Sequence, residues 1–190
     1  MSLDVFALLR QRGAILEGHF RLTSGRHSPT YLEKFRILEQ PDTTAALCEL
    51  IAQRFGGEGV SVVAGPTTGG IILSYEVARQ LGLRGIFAEP ARTSGRDEGG
   101  RSFQRGFRLK PDERVLVVDD ILTTGGSIRE VLQAVKAAGA KPIGVAVLVD
   151  RAAGTVDFGL PFFACLTLEV PSYPPEECPL CAKGVPLIET

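Results

Sequence analysis

The sequence lacks the features of a membrane or secreted protein. Its longest apolar runs are far shorter than the roughly 20 residues that a membrane-spanning helix needs. The opening segment, MSLDVFALLRQRG, is charged at Asp4, Arg10 and Arg12 and has no sustained apolar run, so it does not resemble a signal peptide. Four scattered cysteines are too few for a disulfide scaffold. We therefore expect a cytoplasmic protein that acts without a membrane.

The chain also lacks an excess of either charge. Its 21 basic residues nearly balance 22 acidic ones, which gives a net charge of −1. Nucleic-acid-binding domains usually carry a basic face, so we expect no nucleic-acid partner, and any anion must bind at a local site. The 190 residues are 44% hydrophobic and 23% charged, as in ordinary globular proteins. This length and composition predict one domain over residues 1–190, with small additions at its ends.

Short β-branched runs alternate with amphipathic segments along the chain. The runs predict strands at 60–65, 85–89, 114–120 and 142–151. The amphipathic segments predict helices at 3–12, 41–55, 69–82 and 127–140. Because the predicted strands show no polar alternation, they are expected to be buried on both faces. The pattern therefore predicts an α/β fold with a mostly parallel central sheet flanked by helices.

The segment 91–113 is too long and too charged to be a simple connection. It carries five arginines: Arg92, Arg96, Arg101, Arg105 and Arg108. Two interpretations stay open at this point. The segment is either a solvated hairpin, or a mobile lid that brings cations to an anionic ligand.

Two glycine-rich loops follow predicted strands, at the sheet edge where α/β proteins bind ligands. They are GPTTGG (65–70) and DDILTTGGS (119–127). In the second loop, small residues let the backbone approach a ligand, and the helix that follows directs its free N–H groups toward it. Such a helix N-terminus favours phosphate. The loop lacks the lysine of the GxxxxGK[ST] pattern, which disfavours a nucleoside triphosphatase.

Asp119 and Asp120 stand where the predicted strand 114–120 ends. Two carboxylates beside a phosphate site suit the vicinal hydroxyls of a phosphorylated sugar, with a magnesium ion nearby. In the alternative interpretation, one carboxylate caps a turn and the other pairs with an arginine. The adjoining hydroxyls, two glycines and helix start favour the sugar site.

The segment VLVVDDILTTGGS (115–127) closely resembles the phosphoribosyl pyrophosphate binding motif of the type I phosphoribosyltransferases. Three further segments are similar to the members of that family that act on orotate. They are HFRLTSGRHSPTYLEKFRIL (19–38), GPTTGGIIL (65–73) and the Asp-Arg pair at 150–151. The resemblance covers roughly residues 3–170. It implies the type I phosphoribosyltransferase fold and transfer of a phosphoribosyl group to orotate in pyrimidine biosynthesis.

The resemblance also implies roles for individual residues. Those expected to bind phosphoribosyl pyrophosphate are Asp119, Asp120, Ile121, Leu122, Thr123, Thr124, Gly125, Gly126, Ser127, Thr67, Thr68 and Gly69. Those expected to bind orotate are Thr123, Arg151, Tyr31 and Arg26. The catalytic set is expected to comprise Asp119, Asp120, Arg92 and Arg96. Mg²⁺ is expected as cofactor, held mainly through the ligand and water, with no protein side chain as a metal ligand.

Two larger features follow from the same resemblance. Residues 14–38, with additions from the C-terminus, are expected to form a small hood over the base. Residues 91–105 are expected to form a lid that closes over the neighbouring subunit's site in a homodimer. The best-known family members carry a lysine in the lid, and this chain has only arginines there. Arg92, Arg96, Arg101 or Arg105 would take its place.

Two other functions stay open. A phosphoribosyltransferase for a purine base would use the same donor site but would have no use for Arg151, because a purine has no carboxylate. A regulator of the same fold would sense phosphoribosyl pyrophosphate while binding nucleic acid, and the balanced charge of this chain disfavours that role.

The C-terminal CxxC formed by Cys178 and Cys181 invites a zinc interpretation. A structural zinc needs four ligands, and the other candidates are distant in sequence: Cys48, Cys165, His19 and His27. The spacing alone therefore favours a turn with free or dimer-facing thiols. The two histidines are interpreted as packing or polar surface groups.

Overall fold

The chain divides into two compact units in a computed structural model that describes residues 3–91 and 100–189. The first unit comprises residues 1–40 and 168–190, and the second comprises residues 41–167. Within the described residues, no helix is both long enough and apolar enough to cross a membrane.

The first unit is built on a three-stranded sheet. Its elements are α1 (Val5–Gln11), β1 (Ile15–Arg21), β2 (His27–Leu32), α2 (Phe35–Leu38), a 3₁₀ turn (Pro175–Glu177), α6 (Pro179–Ala182) and β9 (Ile188–Glu189). Strands β1 and β2 form an antiparallel hairpin, and β9 joins the other side of β1 in parallel. The C-terminal segment thus completes a sheet that the N-terminal hairpin begins.

The second unit contains a six-stranded sheet. Its helices are α3 (Pro41–Phe55), α4 (Gly69–Leu81) and α5 (Gly126–Ala137). Its strands are β3 (Val62–Pro66), β4 (Arg84–Pro90), β5 (Arg101–Phe103), β6 (Arg114–Leu122), β7 (Lys141–Asp150) and β8 (Phe162–Thr167). The strand order is β5-β4-β3-β6-β7-β8, and all neighbouring pairs except β4 and β5 are parallel. The predicted α/β architecture with a mostly parallel sheet is confirmed.

The core of the second unit explains why its strands lack polar alternation. The central strands β6 and β7 are buried along almost their whole length. Helix α5 contributes Ile128, Val131 and Val135 to the apolar cluster that these strands form. A sheet covered in this way leaves only its strand ends for polar chemistry.

The order of the strands fixes where a ligand site belongs. The chain leaves β3 through α4 toward β4 on one side of the sheet. It leaves β6 through α5 toward β7 on the other side. Because the two connections diverge, a crevice opens outside the carboxyl ends of β3 and β6, which are neighbours. Both glycine-rich loops begin at this point.

Candidate active site

The loop after β6 forms a small anion cradle at the start of α5. Gly125 precedes the helix with φ +78°, a left-handed conformation that glycine adopts without strain. A Cβ at this position would also lie 3.0 Å from Val156 and 3.2 Å from the Phe158 ring. A cavity of about 60 Å³ is lined by Asp119, Ile121 and residues 123–128. The first turn of α5 opens into it, as a phosphate site requires.

Asp119 and Asp120 are held in place at the end of β6 by backbone contacts. Asp119 accepts a 2.9 Å hydrogen bond from the N–H of Asp120, and Asp120 accepts one of 2.7 Å from the N–H of Ile121. Their exposed fractions are 8% and 5%. The two carboxylates are therefore fixed in direction at the end of β6, and Asp119 lines the cradle.

The loop after β3 is a tight turn that two glycines make possible. A Cβ on Gly65 would lie 2.3 Å from the carbonyl oxygen of Gly70, and a Cβ on Gly70 would lie 2.7 Å from Cδ of Pro66. The intervening Thr67–Thr68 peptide bond is cis. Helix α4 begins at Gly69, so this loop also presents a helix N-terminus at the same edge of the sheet.

Asp150 and Arg151, at the end of β7, lie at the same edge of the sheet as the two loops. Asp150 pairs in register with Leu122, and the backbone N–H of Arg151 donates to the carbonyl of Leu122 at 2.9 Å. Asp150 is buried and accepts hydrogen bonds from the N–H groups of Ala152 and Gly154. Arg151 therefore leaves the sheet directly beside the residue that precedes Thr123.

Arg101, in the arginine-rich segment, is hydrogen-bonded to the loop after β3. Its Nη1 donates to the Thr67 hydroxyl at 2.9 Å and to the Ala88 carbonyl at 3.2 Å, and its Nε lies 3.2 Å from Glu130. The sequence suggested Arg101 as one lid cation among several, and the antiparallel pairing of β5 with β4 gives it this position. Arg105 makes a two-pronged ion pair with Glu89.

The predicted lid, 91–105, falls largely outside the described residues. Arg92 and Arg96, the two arginines expected to be catalytic, lie there as well. The described part of the segment resumes at residue 100 and enters β5 at Arg101.

The residues expected to form the hood lie in the first unit. Arg26 ends the turn of the β1–β2 hairpin, and its guanidinium donates to the hydroxyl and the carbonyl of Ser172. Tyr31 is on β2, and its ring centre lies 5.7 Å from that of Phe20 on β1. The C-terminal segment and the hairpin therefore support each other within this unit.

Two histidines and two cysteines form a second polar cluster, also in the first unit. Their potential ligand atoms all lie within 4.8 Å of one another: those of His19, His27, Cys178 and Cys181. His19 and His27 are buried, which excludes the polar-surface interpretation of these residues. The sequence separated the four residues too widely for spacing to reveal the cluster, and the CxxC was its only signal.

Known proteins match this chain over nearly its whole length. Residues 36–171 match the family model described as the phosphoribosyl transferase domain. An orotate phosphoribosyltransferase of Pelotomaculum thermopropionicum is 52% identical over 98% of this chain and 95% of its own length. Another, from Heliobacterium modesticaldum, is 49% identical over 100% and 97%. A crystal structure of the Aeropyrum pernix orotate phosphoribosyltransferase has 29% identity and a TM-score of 0.71, over 85% of this chain and 92% of that one.

These matches agree with the type I fold that the motifs implied. The chain belongs to the phosphoribosyl transferase domain family.

Proposed function

We propose that this protein is an orotate phosphoribosyltransferase of the cytoplasm. It transfers the 5-phosphoribosyl group from phosphoribosyl pyrophosphate to orotate, giving orotidine 5′-phosphate and pyrophosphate in pyrimidine biosynthesis. The observation that carries this proposal is the gathering of three loops at one sheet edge, after β3, β6 and β7. The relatives named as orotate phosphoribosyltransferases support the same activity.

The 5-phosphate of the donor binds at residues 123–127. The N–H groups of the first turn of α5, together with the hydroxyls of Thr124 and Ser127, donate hydrogen bonds to its oxygens. The cavity there has a volume of about 60 Å³, which suits a phosphate group and is too small to hold the base as well. Ile121 and Leu122 bring the chain to this point from the core.

The ribose hydroxyls donate to Asp119 and Asp120, whose carboxylates are acceptors held at the end of β6. The pyrophosphate lies against the loop after β3, where Thr67, Thr68 and Gly69 lead into the N-terminus of α4. Arg101, bonded to the Thr67 hydroxyl, adds positive charge at that loop. The donor therefore spans the crevice between β3 and β6.

Orotate lies at the β7 side of this crevice. Its carboxylate pairs with the guanidinium of Arg151, a planar match that gives two parallel hydrogen bonds. Thr123 is proposed to contact the base as well. It directly follows Leu122, whose carbonyl accepts a hydrogen bond from the backbone N–H of Arg151. Tyr31 and Arg26 of the first unit are proposed to cover the base.

Magnesium fits the donor set of this crevice. The loops after β3 and β6 offer carboxylate and hydroxyl oxygens, the hard ligands that Mg²⁺ prefers. We expect the ion to be held mainly by the pyrophosphate and water, with the loop of residues 65–70 around the pyrophosphate. When bound, it neutralises charge on the departing pyrophosphate.

The reaction is a displacement at the anomeric carbon of the ribose. A bond forms from an orotate ring nitrogen to that carbon while the bond to pyrophosphate breaks. The electron pair leaves with the pyrophosphate, and the proton of the orotate N–H passes to an oxygen of the departing pyrophosphate or to water. Positive charge develops on the sugar in the transition state, and Asp119 and Asp120 stabilise it through the hydroxyls they hold. Arg92 and Arg96 are proposed to close over the pyrophosphate, in a homodimer that shares the lid between subunits, and to exclude water.

A panel of bases tests this function. Phosphoribosyl pyrophosphate and Mg²⁺ are supplied with orotate, uracil, adenine, guanine or xanthine, and pyrophosphate release is followed. We expect turnover with orotate alone. Turnover with a purine and not with orotate would instead support a purine enzyme, and tight nucleic-acid binding without turnover would support a regulator.

A further inference from the structure

The cluster of His19, His27, Cys178 and Cys181 brings together residues from two ends of the chain. His19 lies on β1 and His27 on β2, across the hairpin. Cys178 caps the short helix α6, and Cys181 lies within it. Two contacts join the pairs directly: Cys178 Sγ lies 3.4 Å from His19 Nε2, and Cys181 Sγ lies 3.3 Å from His27 Nδ1. None of these residues takes part in the proposed reaction.

Hydrogen bonding alone does not account for this arrangement. His19 Nδ1 lies 2.8 Å from the carbonyl oxygen of Val185 and must donate to it, so Nε2 of the neutral ring carries a single lone pair. Three atoms converge on that lone pair: His27 Nδ1 at 3.0 Å, Cys178 Sγ at 3.4 Å and Cys181 Sγ at 3.7 Å. One lone pair accepts well from one donor only. A cation at the centre would accept a lone pair from each of the four atoms.

The distances match a tetrahedral zinc site. Zinc–nitrogen bonds of about 2.05 Å and zinc–sulfur bonds of about 2.3 Å place two nitrogens about 3.3 Å apart, and a nitrogen and a sulfur about 3.6 Å apart. The two nitrogens lie 3.0 Å apart, three of the four nitrogen–sulfur separations are 3.3 to 3.7 Å, and all four atoms lie within 4.8 Å of one another. Four of the six separations among the ligand atoms are therefore already close to those of a site with zinc at its centre.

The surroundings also suit a structural metal. The bond from His19 Nδ1 to the Val185 carbonyl fixes the ring orientation and leaves Nε2 for the metal, as is usual for metal-ligating histidines. Two cysteines separated by two residues are the common zinc-binding pair. His19, His27 and Cys178 are almost fully buried, with exposed fractions of 1%, 6% and 3%. Four protein ligands leave no open position for a substrate, so the site is structural.

We propose that His19 Nε2, His27 Nδ1, Cys178 Sγ and Cys181 Sγ bind one structural Zn²⁺ per chain. The ion joins the C-terminal segment to the β1–β2 hairpin, two parts of the first unit that lie 154 residues apart at His27 and Cys181. Closing so long a loop through four bonds stabilises the unit that carries Arg26 and Tyr31. This site is separate from the magnesium proposed for the reaction and does not depend on it.

Metal analysis of the purified protein is the first test. We expect about one zinc per chain after growth in zinc-containing medium and dialysis. Cys178→Ser and Cys181→Ser are expected to lose most of this zinc, while the control Cys165→Ser, whose thiol lies near the Leu47 carbonyl in the second unit, retains it. Chelation is expected to lower the Tm of the wild type by about 5 °C or more.

Cobalt substitution of the wild-type protein is the second test, because it does not rely on variants that fail to fold. Co²⁺ in this site should show the visible bands of tetrahedral cobalt and a strong thiolate-to-cobalt absorption in the near ultraviolet. Added Zn²⁺ should abolish both. The proposal is overturned by a dialysed protein without zinc, by iron in its place, or by cobalt that binds without the thiolate band.

Discussion

The two polar centres of this protein are built in opposite ways. The crevice at the ends of β3 and β6 depends on backbone: a left-handed Gly125, a close approach of Gly65 to Gly70 and the first turns of two helices. The His/Cys cluster depends on side chains, which strands β1 and β2 and the short helix α6 carry to one point. The first centre is suited to bind and release an anion, and the second to hold a cation permanently.

This contrast determines how each centre should respond to damage. A binding site formed by backbone should keep its shape when many of its side chains are exchanged. It should lose that shape when a Cβ is added where two chain segments touch. A four-ligand cluster fails when one ligand or the metal is removed, and its failure should appear as lost stability. Exchanging a functional side chain in the crevice should therefore affect substrates, adding a Cβ between its touching backbone segments should also lower stability, and substitutions in the cluster should affect melting.

The largest expected effect is on the ribose site. Asp119→Asn removes a charged acceptor beside the phosphate cradle, and we expect kcat/KM to fall about 100-fold or more, because hydrogen bonds to charged groups are strong. The matched control is Asp112→Asn, whose carboxylate is exposed and pairs with Lys141 before β6 begins. Steady-state kinetics should show little change in the control. Equal losses in both variants would contradict the assignment.

A smaller and more selective effect is expected at the base. Arg151→Ala should raise the KM for orotate about 100-fold and change the KM for phosphoribosyl pyrophosphate much less, because the lost guanidinium is the proposed partner of the orotate carboxylate. Arg151→Lys should recover part of the loss. The control Arg54→Ala removes an exposed pair with Glu58. Unchanged orotate kinetics in Arg151→Ala would refute the role of this residue.

Next in size is the strain in the loop after β3. Gly65→Ala puts a methyl group 2.3 Å from the Gly70 carbonyl oxygen, and we expect the free energy of unfolding to fall by about 1–3 kcal/mol. Affinity for the donor should fall as well. Gly57→Ala, where a Cβ would meet no atom within 4 Å, should change stability by no more than about 0.5 kcal/mol. Denaturant unfolding and donor titration measure both effects, and equal stability of the two variants would contradict the predicted strain.

The smallest effect is expected at an ion pair that belongs to neither centre. Hydrogen bonds from Arg79 lower the pKa of Glu76 below its ordinary value of 4.5, against desolvation, which raises it; Gln80 adds to the lowering. Since the folded state has the lower pKa, this stabilisation is present above pH 4.5 and is lost as the pH falls through the lowered value. Glu76→Gln should therefore lower Tm slightly at pH 7, and melting curves should converge in acid. A constant difference at all pH values would exclude the ion pair as its cause.

The sequence predicts those parts of the fold that depend on neighbouring residues. The run VLVVDDILTTGGS contains its strand, its loop and the start of its helix, so β6, the cradle and α5 follow from local patterns. The strand β8 is half-exposed at the sheet edge, and its apolar residues have no period that indicates a strand. The contact of Arg101 with Thr67 depends on the pairing of β5 with β4, which the arginine-rich segment does not reveal.

The His/Cys cluster shows the same limit more strongly. The CxxC was visible in the sequence, but its partners come from a hairpin near the other end of the chain. Only tertiary structure brings such residues together, because no local pattern links His19 to Cys178. Free thiols were predicted because the other potential ligands are far from the CxxC in the sequence, but the fold brings His19 and His27 next to it.

A crystal structure with bound orotidine 5′-phosphate tests the central claim most directly. We expect the phosphate on the N–H groups of residues 123–127, the ribose hydroxyls on Asp119 and Asp120, and the base carboxylate on Arg151. A phosphate bound away from the start of α5, or a base carboxylate that does not contact Arg151, would contradict the proposed site.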